Sequence, residues 1–271
     1  MTAIEMTEAP PRTQAHAVRT RDVLRGEWIK LRSVRSSVWT LLALFGFGAG
    51  LTAMICATTA DGIASGEAGE SPGSFITWGM LIAQVTAVVL GVLAVSNEYG
   101  NGMMRTTLAA TPRRMQLMFA KCAVLAAVLF VGGTVTAFAG YFAGNPFLDA
   151  EGVGVPLDGD GVIRAMFGSG LYLAVLGLFA AAFAFLVRHT AAAMSITLAM
   201  IFVVGNLIML VPGETGEWLT KVMPGNAGGS IATVVNFNPE ALGPWTGFGV
   251  FSLETAVLLG LAAVRFARRD A

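Results

Sequence analysis

The stretch SPGSFITWGMLIAQVTAVVLGVLAVSN, residues 71–97, runs for 27 residues without one charged side chain. A helix needs about 20 mostly apolar residues to cross a bilayer, and a helix satisfies every backbone group internally, so this run reads as a membrane span. Strands of a membrane barrel would be about 10 residues long and would alternate polar with apolar, which this stretch does not do. Composition agrees: the chain of 271 residues is 55% hydrophobic and 13% charged, against about 25% charged in soluble domains.

Four further windows are charge-free over a spanning length: Ser36 to Ala60, Cys122 to Leu148, Ala165 to Val187 and His189 to Gly213. A sixth, Ala241 to Val264, contains one charge, Glu254. The expected fold is therefore an all-α membrane protein with six transmembrane helices, at about 37–60, 74–97, 119–143, 164–187, 190–212 and 245–265. An even number of spans puts both termini on one side, and the positive-inside rule chooses that side. With the N-terminus inside, fifteen of the seventeen Lys and Arg residues lie on the cytoplasmic face, Arg164 and Lys221 being the exceptions. The expected location is the plasma (cell inner) membrane, multi-pass, with cytoplasmic termini. A net charge of zero argues against a nucleic-acid partner. Cys56 and Cys122 lie in separate apolar runs without metal or redox spacing, and the expected role of each is that of a small hydrophobe.

Residues 1–19 read as a disordered cytoplasmic tail, and 20–271 as one six-span membrane domain. From Thr20, Leu24, Trp28 and Leu31 recur at i, i+4 and i+7, surrounded by Arg21, Arg25, Lys30, Arg32 and Arg35. That pattern predicts an amphipathic helix on the cytoplasmic leaflet with Trp28 at headgroup depth, in contact with membrane lipids. Outside, residues 145–161 read as an acidic loop. Residues 212–245 mix apolar and turn-forming residues, which predicts short helices dipping into the outer leaflet.

The insert SNEYGNGMMRTTLAATPRRMQLMFAK, residues 96–121, is the polar piece between the second and third spans. Gly100, Asn101 and Gly102 stop the second span, and Pro112 ends the short segment after them. That segment, Met103 to Thr111, is long enough for about two helical turns, marginal alone in water. It makes sense as a peg held against a partner, with Met103, Met104 and Leu108 filling a groove and Arg105 pairing with an acid there. Arg113, Arg114 and Lys121 then anchor the third span at the inner headgroups.

Glu98-Tyr99-Gly100, Arg105, Thr107-Leu108 and Pro112 with its following basic residue resemble the cytoplasmic motif of ABC-2-type transporter permeases. The basic helix RGEWIKLRSVRSSVW, residues 25–39, the six spans and the long outer segment before the last one extend the resemblance over nearly the whole chain from Thr20 onward. It implies that Met103 to Thr111 is a short coupling helix docking on a separate ATP-binding-cassette ATPase subunit. It also implies a second permease copy or a paralogue, and export of an amphiphilic molecule, a peptide antibiotic or a drug. No G-x-x-x-x-G-K-[ST] motif is present, so ATP and Mg are expected on the partner subunit, with no cofactor bound by this chain and no enzymatic activity of its own.

Glu254 lies near the middle of the sixth span, where an acid costs roughly 2.5 to 3.5 kcal/mol. Protonation, a hydrogen bond to Asn206 or Gln84 from other spans, or exposure to a translocation path between two subunits would each offset that. The competing reading is an ion-coupled secondary transporter with Glu254 as its buried ionisable group; it predicts inverted repeats and broken midplane helices, and no repeat is evident between the halves. An intramembrane enzyme lacks a plausible catalytic set. Gly46 and Gly50, and Gly140 and Gly144, form small-xxx-small pairs expected to pack helices closely, and His189 is expected at the headgroups.

Overall fold

The computed structural model describes residues 19–67, 69–110, 113–208, 210–236, 238 and 240–268, without the side chains of Arg105, Leu108, Ala109 and Ala110. The tail expected over 1–19, apart from Arg19, lies outside the described residues. So does Pro112.

A surface helix α1 (Thr20–Ser33) leads through Val34 into the first long helix α2 (Arg35–Ala64). There follow α3 (Met80–Gly100), the short α4 (Met103–Ala110), α5 (Arg114–Ala150), α6 (Val162–Val187) and α7 (Thr190–Ile208). Two short helices, α8 (Glu214–Val222) and α9 (Pro224–Gly229), precede the last long helix α10 (Pro244–Arg268). Six of these, α2, α3, α5, α6, α7 and α10, are long and apolar enough to cross a membrane.

The core sits around α6, which packs against α3, α5 and α10. One end of the bundle gathers α1, the end of α3, the start of α5 and the end of α10: Gln116 bonds Thr20, and the Arg114 guanidinium donates to the Phe266 carbonyl. The opposite end carries the return loop 151–161 and α8–α9. There the Arg164 guanidinium donates to the carbonyls of Ile231 and Val234, tying the outer segment to the start of α6.

The second and third spans depart furthest from their expected limits, and the fifth is irregular within its length. The second begins at Met80, not near 74, because Pro72–Ser74 forms a 3-10 turn and the chain then bends to bring Gly79 against α2. The third continues through Asn145 and Pro146 to Ala150, taking in residues expected in the acidic loop. The Asn145 carboxamide holds the loop against it, accepting from the Val155 N–H at 2.8 Å, while the Tyr141 hydroxyl donates to the Val155 carbonyl at 2.7 Å. The fifth holds a π-helical segment, Ala199–Val204, followed by Gly205–Ile208. Such π segments often mark functional sites in membrane and soluble helices alike.

Close helix contacts fall on different glycines from half of those expected. Gly140 and Gly144 of α5 do lie against Thr52 and Cys56 of α2. Gly46 and Gly50 face open space, and Gly48 takes their place, packed on Thr136 and on Gly79. A helix with period 3.6 presents only one of these two frames to a neighbour, and residues 48, 52 and 56 share it. At the tightest point the Gly79 N–H donates to Thr52 Oγ1 at 2.9 Å, and that hydroxyl donates to the Gly48 carbonyl at 3.1 Å. A Cβ at Gly79 would overlap the Gly48 carbonyl. Gly79→Leu is therefore expected to lower stability by about 3 kcal/mol or more, and Gly46→Leu to change it by less than about 0.5 kcal/mol, as read by thermal unfolding in detergent micelles.

Candidate functional site

On α1, Val23 and Glu27 sit one turn apart and both turn into the bundle, with Lys30 three residues further on the same face. Glu98 arrives from the last turn of α3, and Lys121 from the second turn of α5. The Lys121 ammonium donates to Glu27 Oε2 at 2.6 Å and to Glu98 Oε1 at 2.9 Å. The Lys30 ammonium donates to Glu27 Oε1 at 2.8 Å and to Glu98 Oε1 at 2.9 Å. The four side chains close a ring of two cations and two anions, binding three helices from distant parts of the chain.

The ring is dry on three of its four sides. Side-chain exposure is 6% for Glu27 and Lys121 and 8% for Glu98, against 35% for Lys30. Taking such ions out of water costs several kcal/mol each, which only close, multiple hydrogen bonds return; here each lysine meets both carboxylates. Burial alone pulls the Lys30 pKa down, but hydrogen bonds from the ammonium to Glu27 and Glu98 and their charges outweigh it and leave it above the ordinary lysine value. A raised cationic pKa stabilises the fold below the unfolded lysine value, and this contribution is lost only as pH climbs through the folded value, in the alkaline range. Glu98 Oε2 is buried without a hydrogen-bond partner among the described residues.

Around the ring lie most of the residues singled out from the sequence. Tyr99 packs under the Arg188 guanidinium, 5.2 Å from the ring centroid. Gly100 closes α3, and Gly102, at φ 67°, supplies the left-handed turn that starts α4. Met103 is 47% exposed, but Met104, expected on the same outward face, is 2% exposed and belongs to the chain's own core. The short helix thus offers a narrower surface than expected. Thr107 is half-buried, and the side chains of Arg105 and Leu108 lie outside those described. Arg25, Trp28, Arg32 and Arg35 are exposed as a surface helix and its exit require, whereas Lys30 turns into the ring. Lys121, expected at the headgroups, is buried because two carboxylates meet it there. His189 is exposed, and its Nδ1 accepts from the Ala192 N–H and caps α7.

The intramembrane set expected around Glu254 does not converge. Gln84 accepts from the Tyr172 hydroxyl at 2.9 Å, and the Asn206 carboxamide donates to the Phe202 carbonyl of its own helix. Glu254 Oε2 is left without a hydrogen-bond partner among the described residues.

Glu27 does not stand out in the sequence because it is embedded in a basic helix. A signal is nonetheless there: an acid one helical turn after the apolar Val23. Lys121 carries a similar clue, standing between Ala120 and Cys122 in a continuous apolar run.

With this geometry in view, the family model of ABC-2 family transporter proteins matches residues 6–271. The chain belongs to the ABC-2 transporter family. No curated protein matches it. Permeases of this family are membrane transport components, not themselves catalytic, and normally work with an ATPase component. In this permease the ring stands beside the start of α4 and ties α1, α3 and α5 to one another through ion pairs.

Removing one member leaves an uncompensated buried charge. Lys121→Met is expected to destabilise the permease by about 3–5 kcal/mol, and the double substitution Lys121→Met with Glu98→Gln to recover part of that loss, as measured by thermal unfolding of the purified protein.

Proposed function

We propose that this chain is the permease of an ATP-driven exporter, that α4 is the coupling helix acted on by a separate ATPase subunit, and that the charge ring passes that action to the spans. The observation that carries the reading is the position of the ring: Glu98 stands four residues before Gly102, where α4 departs, and its carboxylate is shared by lysines of α1 and α5. The start of α1 and the end of α10 belong to the same end of the bundle, which fits a cytoplasmic face with the excess of Lys and Arg. ATP and Mg would be held by the partner subunit. A second permease copy would cover the exposed face of α10, where Leu253, Val257 and Leu261 point outward on either side of Glu254; the cargo, an amphiphile, peptide antibiotic or drug, would pass between the copies.

A second reading rests on Glu254 itself: a half-buried acid whose Oε2 has no hydrogen-bond partner among the described residues is what proton-coupled transport would use. The two readings separate cleanly. In proteoliposomes, transport that requires ATP and a co-reconstituted ATPase supports the exporter, and transport driven by a proton gradient without ATP supports the alternative. For the coupling helix, wild type is expected to co-purify with the ATPase encoded beside it, and Leu108→Asp to lose it while remaining monodisperse. Retention of the ATPase by Leu108→Asp would remove α4 as the docking element.

A further inference from the structure

At the end of the bundle opposite the charge ring, a cavity of about 410 Å³ opens between the start of α3, Tyr172 of α6 and the segment formed by α8, α9 and the 3-10 turn Ser230–Ala232. Its volume suits a small-molecule site and equals roughly fourteen water molecules. None of the described lining residues carries a charge. Lys221 and Glu240, next in sequence to the lining residues Thr220 and Ala241, are paired with each other at 2.9 Å, and the Arg164 guanidinium is turned to the Ile231 and Val234 carbonyls. An ion entering the cavity would give up its water and meet no counter-charge.

The polar side chains of the lining leave a defined set of bonds to be made. Thr77 is 4% exposed, and its hydroxyl has no hydrogen bond among the described residues. Gln84 commits its oxygen to the hydroxyl of buried Tyr172 at 2.9 Å, which leaves its N–H groups for the cavity. Asn226 is turned the other way: its carboxamide nitrogen donates to the Thr220 carbonyl at 2.9 Å, which leaves its oxygen to accept. A donor, an acceptor and a hydroxyl able to do either do not match a phosphodiester, which only accepts, or an ammonium, which only donates. They match hydroxyl groups. Trp78 and Leu81, both lining and both exposed, form an apolar lip on the outward side of the start of α3, where a spanning helix meets lipid.

We infer that this cavity is a binding site, within a single chain, for an amphiphile with an uncharged, hydroxyl-rich head such as a glycosyl group, its head between Thr77, Gln84 and Asn226 and its alkyl chain leaving past Trp78 and Leu81. The wall of the site is continuous with the irregular part of the fifth span. Gly225 lines the cavity, and a Cβ there would stand 2.8 Å from the carbonyl of Ile201, in the π-helical segment of α7. A head seated in the cavity therefore holds α9 against that segment, the kind of helix irregularity often found at functional sites. The site belongs to this chain alone, and binding does not rest on the proposed ATP-driven export.

The test is native mass spectrometry of the full chain in a glycosyl-free polyoxyethylene detergent, offered decyl β-glucoside, decylphosphocholine and decanoyl glycinamide, whose chains are of equal length. Wild type is expected to retain the glucoside about tenfold more strongly than either of the others, the order of one net hydrogen bond. Gly229 lines the cavity, and a Cβ there meets no atom within 4 Å, so Gly229→Phe fills the space without a clash and is expected to lose the glucoside. Thr77→Val keeps the shape, removes the hydroxyl, and is expected to weaken the glucoside about fivefold while leaving decylphosphocholine unchanged. Parity of the glucoside and the phosphocholine on wild type, undiminished retention by Gly229→Phe, or no effect of Thr77→Val would each overturn the site as drawn. Preference for the glycinamide would overturn the hydroxyl-rich head in favour of peptide amides. The wild-type and Thr77→Val comparisons stand even where Gly229→Phe does not fold.

Discussion

Four paired ions, three of them held out of water, set the arrangement of the N-terminal half of the molecule. Glu27, Lys30, Glu98 and Lys121 come from α1, α3 and α5, and a charged group at that depth is tolerable only while its partners are in place. The pairing therefore fixes rotation as well as distance. If α1 turned by one residue, Glu27 would leave Lys121 and the helix would present Trp28 to the core. Apolar packing alone would not discriminate so sharply, since Leu, Val and Ala are interchangeable neighbours in a lipid-solvated bundle.

The ring also gives α5 a special place. Lys121 lies near one end of the membrane-spanning part of this helix, and Tyr141, which grips the return loop through Val155, lies twenty residues further along. That separation is about 30 Å, the thickness of a bilayer core. The helix is thus pinned at both boundaries, once by ions and once by a hydroxyl and a carboxamide, while its middle packs on α2 through Gly140, Gly144 and their partners. The 37-residue helix runs past both attachments, beginning at Arg114 and ending at Ala150.

Much of this architecture is legible in the sequence, because the bilayer reduces the problem to counting charge-free windows. The spans, the surface helix and the short helix after Gly102 emerge from length, breakers and periodicity. The illegible part depends on contacts between distant segments. Which of two glycine frames on α2 faces α5 cannot be read from spacing that both satisfy, and the structure selects Gly48 over Gly46 and Gly50. The burial of Met104 depends on where α4 folds back. Of the ring, Glu98 stands out through the motif, while Lys30 and Lys121 read as surface charges and Glu27 is lost among basic neighbours. Single-residue polarity says that an ion must find a partner but not which one. The intramembrane residues show the reverse: Gln84, Asn206 and Glu254 are each conspicuous in sequence, and two of them satisfy themselves elsewhere.

The composition of the ring has an electrical consequence. Carrying one elementary charge through the membrane potential involves about 2.3 kcal/mol per 100 mV, so a lone buried lysine would make any movement of its helix sensitive to voltage. Two ammonium groups and two carboxylates displaced together carry no net charge. The field performs almost no work on them, and a rearrangement of α1, α3 and α5 that keeps the ring closed proceeds alike in an energised and a depolarised cell.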